Sequence, residues 1–232
     1  MDWSSGELLG FDLETTGPDP LLALPVSFAL ITFEERHVVR RVAALVDPGV
    51  PIPAAATAVH GVTTTRAQAE GHGLAGTVLD LLEVVVDAGA RGVPLVGMNL
   101  AYDLTILERL GSELTGAGLR ARGWRGPALD VLVIDRRVDP HRKGKRRLGE
   151  LCATYGVALE NAHDAGSDAE AAVEVLFRIC ASSPALLERG LSELFADQAV
   201  WHHDWATSYD TWRAAQGMER LDTASFAWPI AP

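Results

Sequence analysis

Two cysteines in 232 residues, Cys152 and Cys180, are too few for a disulfide framework, and neither sits at the spacing of a structural zinc site. Both read as reduced core thiols. Long hydrophobic runs are missing as well: the strongest, residues 21–33, is broken by Pro25 and falls short of the roughly 20 residues that cross a bilayer. Residues 1–7 are acidic and lack the basic start of a secretory leader, so the expectation is a cytoplasmic protein with no membrane partner. Aromatic residues make up only 6%, and positive charge is in the minority, with 20 Lys and Arg against 31 Asp and Glu and a net charge of −11. That balance argues against a general nucleic-acid coat protein. A composition 48% hydrophobic and 22% charged, without repeats or low-complexity stretches, excludes a disordered or fibrous chain.

What charge there is lies unevenly. Ten of the twenty basic residues fall between Arg120 and Arg147, opposed only by Asp130, Asp135 and Asp139, so that window is locally +7. After Ser183 the balance turns acidic. Apolar runs separated by turn signals predict strands over residues 8–13, 26–33 and 38–46, arranged as an antiparallel meander. A proline-rich loop over 47–53 leads to a helix over 73–88, a short buried strand over 93–97 and a helix over 100–114. A fifth strand is expected over 128–134, with helices over 147–155 and 169–180.

Three segments carry chemistry. In Phe-Asp-Leu-Glu-Thr-Thr-Gly, residues 11–17, the alternation of a strand puts Asp12 and Glu14 on one face. Two like charges share a face at a cost that a divalent cation removes, and hard oxygen ligands suit magnesium or manganese. A bare D-x-E is more often a solvated strand end, but Gly17 lets the chain turn away after the second acid and leaves backbone open to a ligand. In Asn99-Leu-Ala-Tyr102-Asp103 a buried strand ends at a polar turn, with Asp103 in the first turn of a helix, where the dipole alone would favour it. In His163-Asp-Ala-Gly-Ser-Asp168 an imidazole precedes a carboxylate at a helix start, where Ser167-x-x-Glu170 also reads as a capping box.

D-x-E, N-x-x-Y-D and H-x-x-x-x-D, in this order and over residues 8–179, resemble the three exonuclease motifs of the DEDDh, DnaQ-like superfamily of 3′→5′ exonucleases, which includes the proofreading epsilon subunit of bacterial DNA polymerase III and stand-alone relatives. Val59-His60-Gly61-Val62 resembles a further stretch of that family, and Asp164, where the other branch has Tyr, places the chain in the His branch. The resemblance implies metal ligands at Asp12, Glu14, Asp103 and Asp168 for two Mg2+ or Mn2+ ions, and His163 as general base. It also implies an α/β, RNase H-like fold; with the strands read above, the expectation is a mixed five-stranded sheet flanked by helices over residues 1–182, followed by a helical C-terminal extension over 183–232. The apolar residues 21–26 depart from the polar loop many members have there.

The chemistry agrees with the ligand set. Phosphodiester hydrolysis needs a deprotonated water, neutralisation of charge at phosphorus and help for the leaving oxygen, and two metals supply the last two. Imidazole, which ordinarily titrates near pH 6.5, suits the proton transfer. Thr15 and Thr16 are expected to grip the terminal nucleotide, with the resemblance favouring Thr15, and Asn99 and Tyr102 to orient the second motif. Arg142, Lys143, Arg146 and Arg147 are expected to hold phosphates of the entering strand. A solvated charged loop is the rival reading there.

The expected function is therefore 3′→5′ exonucleolysis with DNA favoured over RNA. An RNA or oligoribonucleotide enzyme and a partner-bound proofreading or repair subunit are the alternatives. A haloacid-dehalogenase-type phosphatase is disfavoured because Glu14 stands where its motif needs Asp. In the extension, Leu194, Gln198, Trp201, Trp205, Tyr209 and Trp212 recur every three or four residues. Core packing is the expectation for that stripe, because the segment's acidity opposes phosphate binding; a protein-partner surface is the functional alternative.

Overall fold

The computed structural model describes residues 2–232. Strand β1 (Leu8–Thr15) turns Leu9, Phe11 and Leu13 to one face of the sheet and Leu8, Gly10, Asp12 and Glu14 to the other. Strands β2 (Pro25–Glu34) and β3 (His37–Asp47) complete the expected meander, with β1 paired to β2 from Leu8↔Phe33 onward. Two short helices, α1 (Ala54–His60) and α2 (Thr64–Glu70), precede β4 (His72–Gly73), which lies parallel to β3. After helix α3 (Leu74–Arg91), β5 (Leu95–Gly97) pairs parallel with β1. Helix α4 (Leu100–Thr115) leads to β6 (Ala128–Asp130), parallel to β5. The order β4-β3-β2-β1-β5-β6 makes six strands where five were expected, because a two-residue strand leaves no periodicity to read.

A second correction concerns residues 128–134. Strand ends at Asp130, whose carboxylate accepts from Leu132 N at 3.0 Å and starts helix α5 (Val131–Val138). A short apolar run does not distinguish strand from buried helix, and here the aspartate cap decides. Helices α6 (Leu148–Tyr155), α7 (Ala165–Ser182) and α8 (Leu191–Ala215) follow, α7 starting four residues before its expected position.

Each face of the sheet has its own core. Leu8, Ala29, Ile31 and Phe33 meet Val173, Leu176 and Phe177 of α7, while Leu9, Phe11 and Leu30 meet α3 and α4 through Val78, Leu82, Leu104 and Leu107. Gly10 sets the spacing on the α7 side: a Cβ there would lie 3.0 Å from the Ala169 carbonyl and from Val173 Cγ2, so the helix rests on bare strand backbone.

The extension closes the second core with Trp228 and Ile230. It also seals the sheet edge, since Gln198 accepts from Asp130 N at 2.7 Å and donates to the Ala128 carbonyl at 2.9 Å. Packing accounts for Leu194 and Gln198, which are buried, and for Trp201, which lies half-buried against both cores; beyond it the stripe leaves the core, with Trp205 and Tyr209 half-buried and Trp212 exposed. Among the described residues no helix is long and apolar enough to cross a membrane.

Candidate active site

The site forms where β1 ends. Asp12 and Glu14 leave the strand toward α7, and the close approach at Gly10 carries Asp168, in the first turn of α7, over them. Asp103 arrives from the other side. The chain reverses between β5 and α4 through Asn99, at φ 61°, a left-handed conformation that asparagine tolerates better than most residues. Asn99 N is held by Asp130 Oδ1 at 3.0 Å, and Asp130 also accepts from the indole N–H of Trp228 at 3.3 Å. The first turn of α4 then aims Asp103 across the strand, where its Oδ1 accepts from Leu13 N at 3.1 Å.

His163 joins from the loop before α7. Ligating atoms of Glu14, His163 and Asp168 lie within 4.8 Å of one another. His163 is exposed and has a φ of 67°, and its backbone N–H donates to both oxygens of Asp168 at 3.3 Å. The capping box expected at Ser167 and Glu170 does not form. Asp164 is the cap, accepting from Ser167 N at 2.9 Å, and Glu170 pairs instead with Arg41 on β3 at 2.8 Å.

Carboxylates that feel one another's charge resist ionisation together. Burial first, and then the charges of Asp103, Asp168 and Glu14, push Asp12 well above the usual carboxylate range. Burial, with Asp168 and Asp164, raises Glu14 to about 8. Burial raises Asp168 to about 6 against the relief given by the His163 backbone, and Asp103 is likewise raised by burial, Asp130 and Glu14. Among the described residues no Lys or Arg forms an ion pair with any of the four. Uncompensated oxygen donors beside one imidazole fit a hard divalent cation, which would supply the missing positive charge.

The other expected residues are placed as follows. The Thr15 and Tyr102 hydroxyls lie 2.5 Å apart and share the Gly17 carbonyl as acceptor. Gly17 thus contributes its carbonyl, and its backbone is outside the left-handed region, so conformational freedom is not what it supplies. The Thr16 hydroxyl accepts from Leu24 N at 3.0 Å and pins the β1–β2 loop. Arg142 and Arg146 both reach the fully buried Asp135 carboxylate, Arg146 at 2.5 Å. Lys143 and Arg147 are exposed, with no side-chain partner among the described residues. Two neighbours carried no role in the sequence reading. Asp164 adds charge to the cluster, and His60 lines a small groove together with His163. His60 Nδ1 accepts from Val62 N at 3.1 Å while its Nε2 is buried without a partner. The Val-His-Gly-Val stretch was the only signal for it.

The chain is similar to known proteins. The family model described as Exonuclease (RNase_T) matches residues 9–176. A DNA polymerase III subunit epsilon-like protein of Rhodobacter capsulatus is 32% identical over 189 residues, covering 78% of this chain and 24% of that protein. A PolC-type DNA polymerase III of Lacticaseibacillus paracasei is 28% identical over 178 residues, 77% of this chain and 12% of that protein. The chain thus spans a quarter or less of the length of these relatives. Among solved structures, E. coli exonuclease I in complex with a dT13 oligonucleotide is similar with a TM-score of 0.65 and 21% identity, over 79% of this chain and 43% of that one. Another exonuclease I structure gives 0.67 and 20%, over 88% and 44%. With the three motifs brought to one strand end and the exonuclease model covering most of its length, the chain belongs to the DnaQ-like, DEDDh family of 3′→5′ exonucleases.

Proposed function

We propose that the protein removes nucleoside 5′-monophosphates one at a time from the 3′ end of single-stranded DNA, through a domain over residues 1–182 carrying a helical extension over 183–232. The observation that carries this is the convergence of Asp12, Glu14, Asp103 and Asp168, with His163 beside them and no Lys or Arg among the described residues paired with them. The four carboxylates would hold two Mg2+ or Mn2+ ions, which when bound supply charge neutralisation at phosphorus and acidify water. His163, exposed and fixed through its backbone to Asp168, accepts the proton of the attacking water on a ring nitrogen. The paired hydroxyls of Thr15 and Tyr102 stand next to the carboxylates to position the terminal sugar, and Thr16 and Asn99 hold the two turns in place. Lys143 and Arg147 are free to meet phosphates, whereas Arg142 and Arg146 act mainly by fixing their loop on Asp135.

DNA is supported by the named relatives, and the epsilon-like relative favours a second reading in which the same chemistry serves a polymerase-bound assembly. Matched DNA and RNA strands labelled at either end test the first reading. Loss from the 3′ end, faster on DNA and absent without divalent cation, is expected; loss from the 5′ end, or turnover in chelator, overturns it.

A further inference from the structure

The Arg136 guanidinium on α5 lies 3.3 Å from the ring centroid of Trp205 on α8. Trp205, Tyr209 and Trp212 continue the stack, with centroids 5.3 and 5.7 Å apart and planes within 15° and 12° of parallel. Two core pairs meet edge-on instead, at 76° for Phe33 with Phe177 and 81° for Trp124 with Phe195, and Phe195 meets Trp228 tilted at 56°. Spacings of four and three residues keep the ladder on one helix face, and its last ring, Trp212, is 51% exposed.

Beside the ladder, an open cavity of about 480 Å³ lies between α8 and the segment of α5 with its following loop. Arg136, Arg137, His141, Arg142 and Arg146 line it with Trp201 and Trp205, and Asp204 is the one acidic residue in its wall. Asp135 neutralises part of the Arg142 and Arg146 charge, but Nη1 of Arg142 is buried without a partner. Arg136 and Arg137 pair with no carboxylate among the described residues. Burial pushes Arg136 down to about 10, so it stays charged at neutral pH while short of solvation. A second cavity, of about 340 Å³, shares Arg136 and Trp205 and extends to Pro18, Asn99 and Tyr102, next to Thr15.

We propose that this groove holds the internal part of a single-stranded nucleic acid, with Arg136 and Arg137 taking backbone phosphates and the exposed Trp212 at the end of the ladder taking an unpaired base, while the 3′ end lies at the carboxylate cluster. The acidity of the extension is no obstacle, because the cations come from α5 and its loop while α8 supplies the rings. Guanidinium groups interleaved with stacked aromatics are the chemistry that tracks a single strand without reading its sequence. The strand's direction rests on the exonuclease reading; the binding itself rests on the groove.

The test uses the full chain, chelator and 5′-labelled oligothymidylates of about 3, 8 and 20 nucleotides, read by anisotropy. Affinity should rise with length. Arg137→Glu, on an exposed side chain, should weaken binding of the longest strand by about tenfold and lower its salt slope by about 0.7 for each lost phosphate contact. Trp212→Ala should weaken it by about fivefold or more. With magnesium, the ratio of kcat/KM on the longest strand to that on the shortest should fall by similar factors. Length-independent binding by the wild type, or equal affinity and slope in both variants, overturns the proposal and returns the face to protein contacts. If the wild type hydrolyses no strand yet shows length-dependent, Arg137-dependent binding, the exonuclease reading falls and the groove stands.

Discussion

Asp12 and Asp135 are carboxylates enclosed by the same domain, and their surroundings are opposite. Asp135 receives Arg142, Arg146 and the Tyr155 hydroxyl at 2.8 Å, so its charge is answered within the chain. Asp12 faces Asp103, Asp168 and Glu14, and among the described residues no Lys or Arg pairs with any of them. A buried charge that is fully paired is architecture; one left unanswered costs stability, and the cost points to a ligand from outside. The difference separates the two halves of the basic and acidic inventory better than net charge does.

Breaking the unanswered cluster should have the largest effect. Asp12→Ala should lower 3′→5′ turnover by about 10⁴-fold or more while raising the melting temperature of the metal-free protein, since it relieves like-charge repulsion. Near-normal turnover in the folded variant would remove the carboxylates from the chemistry. His163→Ala should slow turnover by roughly 10²- to 10⁴-fold with little change in KM, measured at saturating and limiting strand. A change confined to KM would make it a binding residue.

In the answered cluster the same operation should act on stability instead. Asp135→Ala leaves two guanidinium groups enclosed without their counter-charge and should cost about 3–5 kcal/mol in denaturant unfolding. Titration sharpens the contrast. Glu14, ordinarily near 4.5, is raised to about 8, and Asp168, ordinarily near 3.8, to about 6. Groups raised in the folded state favour it at low pH and lose that contribution as they ionise, so the metal-free melting temperature should fall by a few degrees from about pH 5 to about pH 8. Added magnesium should flatten the slope, and a slope unchanged by magnesium would contradict the assignment. The smallest effect belongs to Tyr155→Phe, which removes one of three partners of Asp135 and should cost about 1 kcal/mol.

Much of this was legible from residues alone, for definable reasons. The meander and the strand–helix unit at Asn99 rest on period-two and helical patterns long enough to read. The cluster could be read because its chemistry needs fixed residue types at fixed offsets: Asp12 two before Glu14, His163 five before Asp168. What escaped depended on contacts between distant segments. Residues 128–134 look like one strand until Asp130 is seen to cap Leu132. Of the three arginines given to substrate, Arg142 and Arg146 turn out to pair with Asp135, seven and eleven residues upstream. The tryptophan stripe read as core because sequence could not show Arg136 lying on Trp205.

The bond between Trp228 and Asp130 spans 98 residues. During synthesis at about 5–20 residues per second, the strand bearing Asp130 therefore waits roughly 5–20 seconds for its cover to be made. Early in that interval the nascent chain presents an open sheet edge at Ala128, which Gln198 covers first, and the core stays half-lined until Trp228 and Ile230 arrive. The three exonuclease motifs are all translated by then, yet the turn that aims Asp103 still lacks the tryptophan that holds its anchor, so the geometry of the site is completed late in the making of the polypeptide.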